Sequence, residues 1–147
     1  SAVEGLTQAG YKLAWVIDTQ NWTRLNEFFT QDVYYDSTDL GQYGGRSEGI
    51  EETRQALEQA GERAMTSHVV TNLHVEEMQS AEKARVITYI QYTHWDPEAL
   101  NDPKRTFRIQ YYCDDIWVCQ DSAWKMQRST VTNLGAGAEM PYNTRPL

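Results

Sequence analysis

The chain has 147 residues, 40% of them hydrophobic and 12% aromatic, and a net charge of −8. That is enough apolar side chain for one globular domain with a real core, and it excludes a disordered chain. The acidic balance argues against nucleic acid, whose phosphates need a basic footprint, and against anionic membrane surfaces.

No apolar run approaches the ~20 residues of a membrane span. No leader pattern is visible at the N-terminus, although Ser1 in place of Met leaves room for one already removed. Cys113 and Cys119 lie six residues apart in an expected strand, so their Cα atoms would be ~20 Å apart. A disulfide spans less than ~7 Å. Free thiols are therefore expected, and with them a reducing compartment, the cytoplasm.

Helix signals fill the first part of the chain and strand signals the second, the pattern of an α+β domain over residues 1–134 with a tail at 135–147. Residues 3–18 read as a helix, with Val3, Leu6, Gly10, Leu13 and Ile17 on one side. A second stripe, Thr7, Tyr11, Ala14, Trp15 and Asp18, runs beside it. Asn21 can cap a short helix over 22–29. Residues 33–37 read as a strand, 38–46 as a Gly-rich turn region, and Ser47 as the cap of a helix reaching about residue 63. The run 66–76 is β-branched and alternating, so it reads as a strand. On one parity it carries Val69, Thr71, Leu73 and Val75. On the other it carries His68, Val70, Asn72 and His74, a set suited to a polar pocket. A turn at 79–83, a strand over 84–95 with its even positions on one side, a loop at 96–104, and strands over 105–119 and 124–132 joined at 120–123 complete a meander. A four- or five-stranded antiparallel sheet, strongly curved, would close over the helices as a cone around a pocket. The tail is open to three readings: a mobile end, a flap over the pocket mouth, or an arm to a neighbouring subunit.

Asp18 and His68 are the pair with chemistry to offer. A carboxylate near a helix C-terminus opposes the macrodipole by a few tenths of a kcal/mol up to ~1. It is either tolerated in water or held there for a purpose. If it meets His68, it fixes the imidazole tautomer and stabilises the imidazolium formed when that ring takes a proton. The plain alternative is a solvated helix-end Asp and a hydrogen-bonded strand His. Asp115 shares parity with Cys113 and Trp117 and is a candidate third pocket acid. Asn72 could donate to a substrate oxygen, and His74, six residues beyond His68, belongs at the surface. The three His residues show no HxxxH spacing and the Cys pair no CxxC spacing, so no metal is expected. No phosphate-cradling glycine motif or nucleophile elbow is present.

Three stretches together resemble the SnoaL-like branch of the nuclear transport factor 2-like superfamily: 11–25 with Tyr11, Asp18 and Trp22, 32–49 with its closing Gly-Gly-Arg-Ser-Glu-Gly, and 66–76 opening near His68. Trp124-Lys125 matches the family's turn into its last strand. Within that branch the run from His68 to Lys83 is most like the hexachlorocyclohexane dehydrochlorinases, and Asp18-Thr-Gln-Asn-Trp22 is similar to the scytalone dehydratases. The resemblance implies a cone-shaped α+β barrel, a His–Asp pair on His68 and Asp18, a second histidine at His94 and a cavity-lining aromatic at Tyr35. It implies substrate walls at Tyr11, Trp15, Trp22, Tyr92 and Tyr111. Ile17, Ser37 and Leu13 replace two Tyr residues and a Lys of those enzymes, so neither specific substrate follows.

The reading is a cofactor-independent lyase or isomerase, of dehydratase or cyclase type, acting on a small apolar substrate in secondary metabolism or xenobiotic breakdown. It expects a homo-oligomer, a dimer or trimer. The alternative is a non-catalytic small-molecule-binding or assembly subunit of the same fold.

Overall fold

The computed structural model describes residues 1–102 and 105–135. Most of the expected tail and the end of the expected loop at 96–104 lie outside the described residues.

Helix α1, Ala2–Asp18, starts where the Ser1 hydroxyl accepts from Glu4 N–H at 3.2 Å. Leu6, Leu13 and Val16 are buried, and Ala9 and Ile17 pack beside them. The buried face is thus rotated from the expected stripe: Val3 is exposed and Val16, in neither stripe, is fully covered. A 3-10 turn, Trp22–Glu27, follows and buries Leu25. Strand β1 is Phe29–Asp36. A second 3-10 turn, Thr38–Tyr43, and a short strand β2, Arg46–Glu48, occupy the region expected to be plain turn. Ser47 belongs to β2 and does not cap the helix. It is buried and bonds the Thr53 hydroxyl at 2.9 Å. Gly49, at φ 84°, makes the turn into α2, Ile50–Gly61.

The remaining strands are β3, Met65–Ser80, β4, Lys83–Trp95, β5, Thr106–Gln120, and β6, Ala123–Asn133. The sheet order is β2-β1-β6-β5-β4-β3. It has six strands, not four or five, it curves without closing, and β1 lies parallel to β6. That parallel pair sets Tyr35 of β1 beside Ser129 of β6, which faces Asp115 of β5 in turn. The β5–β6 hairpin turns on Asp121 and Ser122, both with positive φ, the geometry that matches the strands' own twist.

Along β4 the even positions do face inward: Ala84, Val86, Thr88 and His94 are buried, and Ile90 and Tyr92 half-buried. Along β3 simple alternation fails. Val70 faces Ile90, but Asn72 faces Tyr89, so Thr71 is an extra residue. This bulge exchanges the two faces beyond it. Leu73 and Val75 therefore join the core with His68 and Val70, while Asn72 and His74 turn outward.

α1 lies across β3 and β6, and α2 covers β1 and β2. Gln20 Nε2 donates to the Gly61 carbonyl at 3.1 Å and ties the helix ends together. At the sheet's open end, Ser37 N–H donates to the Gly45 carbonyl at 2.8 Å, and Gly45 N–H to the Ser37 hydroxyl at 3.0 Å. A Cβ placed on Gly44 would stand 1.7 Å from the Ser37 carbonyl oxygen.

Candidate active site

The end of α1 and the start of β3 meet over the concave face of the sheet. Asp18 Oδ1 lies 2.6 Å from His68 Nδ1, and Oδ2 accepts the His68 backbone N–H at 2.7 Å. The Thr66 hydroxyl donates to Oδ1 at 3.0 Å. One carboxylate thus fixes both the ring and the backbone of the same histidine. Because Nδ1 is engaged, Nε2 is the nitrogen left for a bound molecule. The Tyr92 ring, 4.7 Å away between centroids, supports the imidazole from β4.

His68 borders two neighbouring spaces. The outer chamber, about 420 Å³, has walls from Trp22, Tyr35, Leu40, Tyr43, Tyr92 and Tyr111 among others. A narrower crevice of about 70 Å³ runs inward toward Asp115, Trp117 and Ser129. Ile17, Tyr35, Leu57, His68 and Tyr111 border both. Burial pushes the Tyr35 and Tyr111 phenols well up, with nearby Cys113 and Asp115 adding to it, so both remain donors at neutral pH. Burial, then the Asp18 carboxylate, does the same to Tyr92. Asp115 is raised to about 7, first by burial.

The expected site residues divide into those around these spaces and those away from them. Asp18 and His68 touch, and Trp22, Tyr35, Tyr92, Tyr111 and Asp115 border one or both spaces or, in Asp18's case, hold the residue that does. Tyr11 and Trp15 do not line the cavity: they are 45% and 58% exposed on the outside of α1, and the Arg24 guanidinium lies over the Trp15 ring. Asn72 is likewise outside, carried there by the bulge at Thr71. His94 is buried on the inner face but walls neither space. Its ring lies behind Tyr92, 6.5 Å between centroids, and burial lowers its pKa. His74 pairs with Glu76 at the surface.

Four contributors escaped the sequence reading: Thr66, Leu40, Tyr43 and Ser129. Thr66 completes the Asp18 shell, and its parity with His68 was the available signal. Leu40 and Tyr43 wall the chamber from a segment read only as a turn. Ser129 joins Asp115 through the β5–β6 register, which no local pattern carries, whereas Trp117 lies on the face that its parity with Asp115 implies. Both cysteines are free, as expected. Among the described residues no three His, Cys, Asp or Glu gather as a metal-binding group, and no helix is long and apolar enough to cross a membrane.

Comparison with known proteins bears on the fold and the family. Among solved structures, the Kfla4162 protein of Kribbella flavida superposes with a TM-score of 0.77 at 16% identity, over 89% of both chains. A Novosphingobium aromaticivorans protein described as a candidate scytalone dehydratase gives 0.76 at 16% identity, over 98% of this chain and 91% of that one. LinA gives 0.67 at 19% identity, over 94% and 92%. No curated protein matches by sequence. The SnoaL-like domain family matches residues 1–130, nearly the whole described fold. The chain belongs to the SnoaL-like domain family.

Proposed function

We propose that the protein is a lyase or isomerase in which His68 is the base and Asp18 its positioning partner. The observation that carries this reading is the 2.6 Å contact between Asp18 Oδ1 and His68 Nδ1 on the wall of a chamber large enough for a small molecule. His68 Nε2 takes a proton from a substrate carbon, and the C–H electron pair becomes a new π bond. In a lyase the leaving group departs from the adjacent carbon with the electron pair of the broken bond, as water when its oxygen takes up the proton that His68 has removed. In an isomerase the proton returns to a different carbon of the same molecule. Asp18 stabilises the transient imidazolium and holds its orientation. The phenols of Tyr35, Tyr92 and Tyr111 offer hydrogen bonds to a substrate oxygen as charge develops on it. The mostly aromatic and aliphatic walls favour an apolar body.

Screening the purified protein against hydroxylated, epoxidised and halogenated small molecules, with His68→Gln beside it, tests the reading. Turnover of at least one substrate is expected, falling by about 10²–10⁴ in the variant. Undiminished turnover in that variant would remove His68 as the base. We also propose a homo-oligomer joined through the convex face, supported by the exposed Val69 and Tyr89 there. Light scattering that gives a monomer mass at micromolar concentration would refute it.

A further inference from the structure

Two hydroxyls on the wall of the outer chamber have their hydrogens committed elsewhere. Thr66, on β3, donates to Asp18 Oδ1 at 3.0 Å, and a carboxylate has no hydrogen to return. Ser47, on β2, is buried and lies 2.9 Å from the Thr53 hydroxyl. The single hydrogen of Thr53 goes to the Gly49 carbonyl at 2.9 Å, four residues back and a common partner for a helical threonine. At the Ser47–Thr53 contact Ser47 is therefore the donor. Both Thr66 and Ser47 border the chamber, and each keeps lone pairs but no hydrogen for a ligand. With Nδ1 turned to Asp18, His68 Nε2 is an acceptor as well.

The topology sets these acceptors at opposite edges of the sheet, β2 and β3. Ser47 pairs with Tyr35 of β1, and Thr66 and His68 pair with His94 and Tyr92 of β4, so all three side chains share the inward face. Tyr35 and Tyr111, on the strands between, carry phenols that can donate or accept. Arg46, the one cation on the lining among the described residues, pairs with Asp36 at 3.1 Å, on the opposite face of β2 from Ser47 by strand alternation. A halogen, an ether, an epoxide or a carbonyl brings no hydrogen to either edge. A carboxylate would meet only lone pairs there. An ammonium would be desolvated against a wall that, among the described residues, has no carboxylate. A neutral O–H supplies what both edges lack.

We propose that the outer chamber takes a ligand with two hydroxyl groups, one donated to the β3 acceptors Thr66 and His68 and the other to Ser47. Ser47 is then a binding residue that the Asp18–His68 chemistry does not use. Thr53 is a positioning residue: it takes the Ser47 hydrogen and leaves the oxygen bare toward the chamber. The assignment selects hydroxylated molecules over halogenated and epoxidised ones. It rests on the function proposed above only for the claim that the bound molecule also reacts.

Calorimetric titration of the full chain at neutral pH with resorcinol, hydroquinone and 2,6-dihydroxynaphthalene tests the site, each diol being set against its mono-hydroxy parent, phenol or 2-naphthol. These aromatic rings have no saturated carbon from which His68 could take a proton, so turnover does not disturb the measurement. At least one of the diols is expected to bind about tenfold more tightly than its parent, the worth of one further hydrogen bond. Ser47→Ala erases that gain. Thr53→Val breaks the same bond between β2 and α2 but leaves the Ser47 oxygen on the wall, so the gain survives it. The proposal is overturned if no diol exceeds its parent, or if the gain persists in a folded Ser47→Ala protein. It is also overturned if the gain falls alike in both variants, since the hydroxyl pair is then only a structural joint. If Ser47→Ala does not fold, Ser47→Cys, whose thiol is a weak acceptor, takes its place. Turnover in His68→Gln separates the two readings. Full turnover there sinks the base and leaves a Ser47-dependent diol gain standing, whereas lost turnover with no diol gain in the wild type does the reverse.

Discussion

Two carboxylates serve the spaces that His68 borders, Asp18 from behind the imidazole and Asp115 on the wall of the inner crevice, and their surroundings differ in the respect that decides their chemistry. Asp18 accepts three hydrogen bonds, from the Thr66 hydroxyl and from the backbone and ring of His68. Asp115 is buried among apolar walls, with Oδ1 unpartnered. The first is surrounded by donors, so it serves as an acceptor and as an orienting group. At the second, burial outweighs the hydrogen bonds that Ser129 and Trp117 direct at it, so its pKa is raised to about 7. A side-chain name fixes neither role. Burial set against the donors within reach fixes both.

The largest test of this contrast is kinetic. Asp18→Asn should lower kcat by about 10²–10⁴, because the amide can hold His68 in the wrong tautomer and cannot stabilise the imidazolium. Steady-state turnover on any substrate found in the screen would show it, and a loss under threefold would break the assignment. Next comes stability. The folded-state pKa of Asp115 lies above its ordinary 3.8, so the native protein binds the extra proton between about pH 4 and 7. Stability from this group is therefore present at low pH and is lost as pH rises through that window. Asp115→Asn, which has no proton to lose, should exceed the wild type by on the order of a few kcal/mol at pH 8.5 and show no such gain at pH 4. Urea titrations at the two pH values measure it, and a gain confined to low pH would contradict the burial argument. The smallest effect is at Thr66. Thr66→Val removes one of three donors and should cost about 0.5–1.5 kcal/mol of stability. It should leave kcat within about tenfold, since His68 still makes both of its contacts with Asp18.

Much of this arrangement was legible in the sequence, and the parts that were not share a cause. The inward parity of β4 and the inward carboxylate of the Asp114–Asp115 pair follow from simple alternation, which holds wherever a strand has no bulge. Asp18 and His68 could be singled out by residue type and resemblance, and they do meet. Asn72 was placed on the wrong face because Thr71 interrupts the period, and no feature of Val-Val-Thr-Asn-Leu announces an extra residue. Tyr11 and Trp15 were misplaced for a related reason. A stripe at helical spacing says which residues share a side, but the rotation of that side toward the sheet is set by tertiary packing of Leu6, Leu13 and Val16. The parallel β1–β6 pair that aligns Tyr35, Ser129 and Asp115 is wholly non-local. Local propensity has no access to it.

Gly44 has a consequence for the shape of the chamber wall. With the Ser37 carbonyl 1.7 Å from where a methyl would stand, the backbone of β1's end and that of the second 3-10 turn are as close as a hydrogen atom permits. Leu40 and Tyr43, which that turn presents to the chamber, are thereby held against the end of β1. A single carbon at this position would push the Ser37 backbone and the turn that bears Leu40 and Tyr43 apart, and so reshape that wall of the chamber.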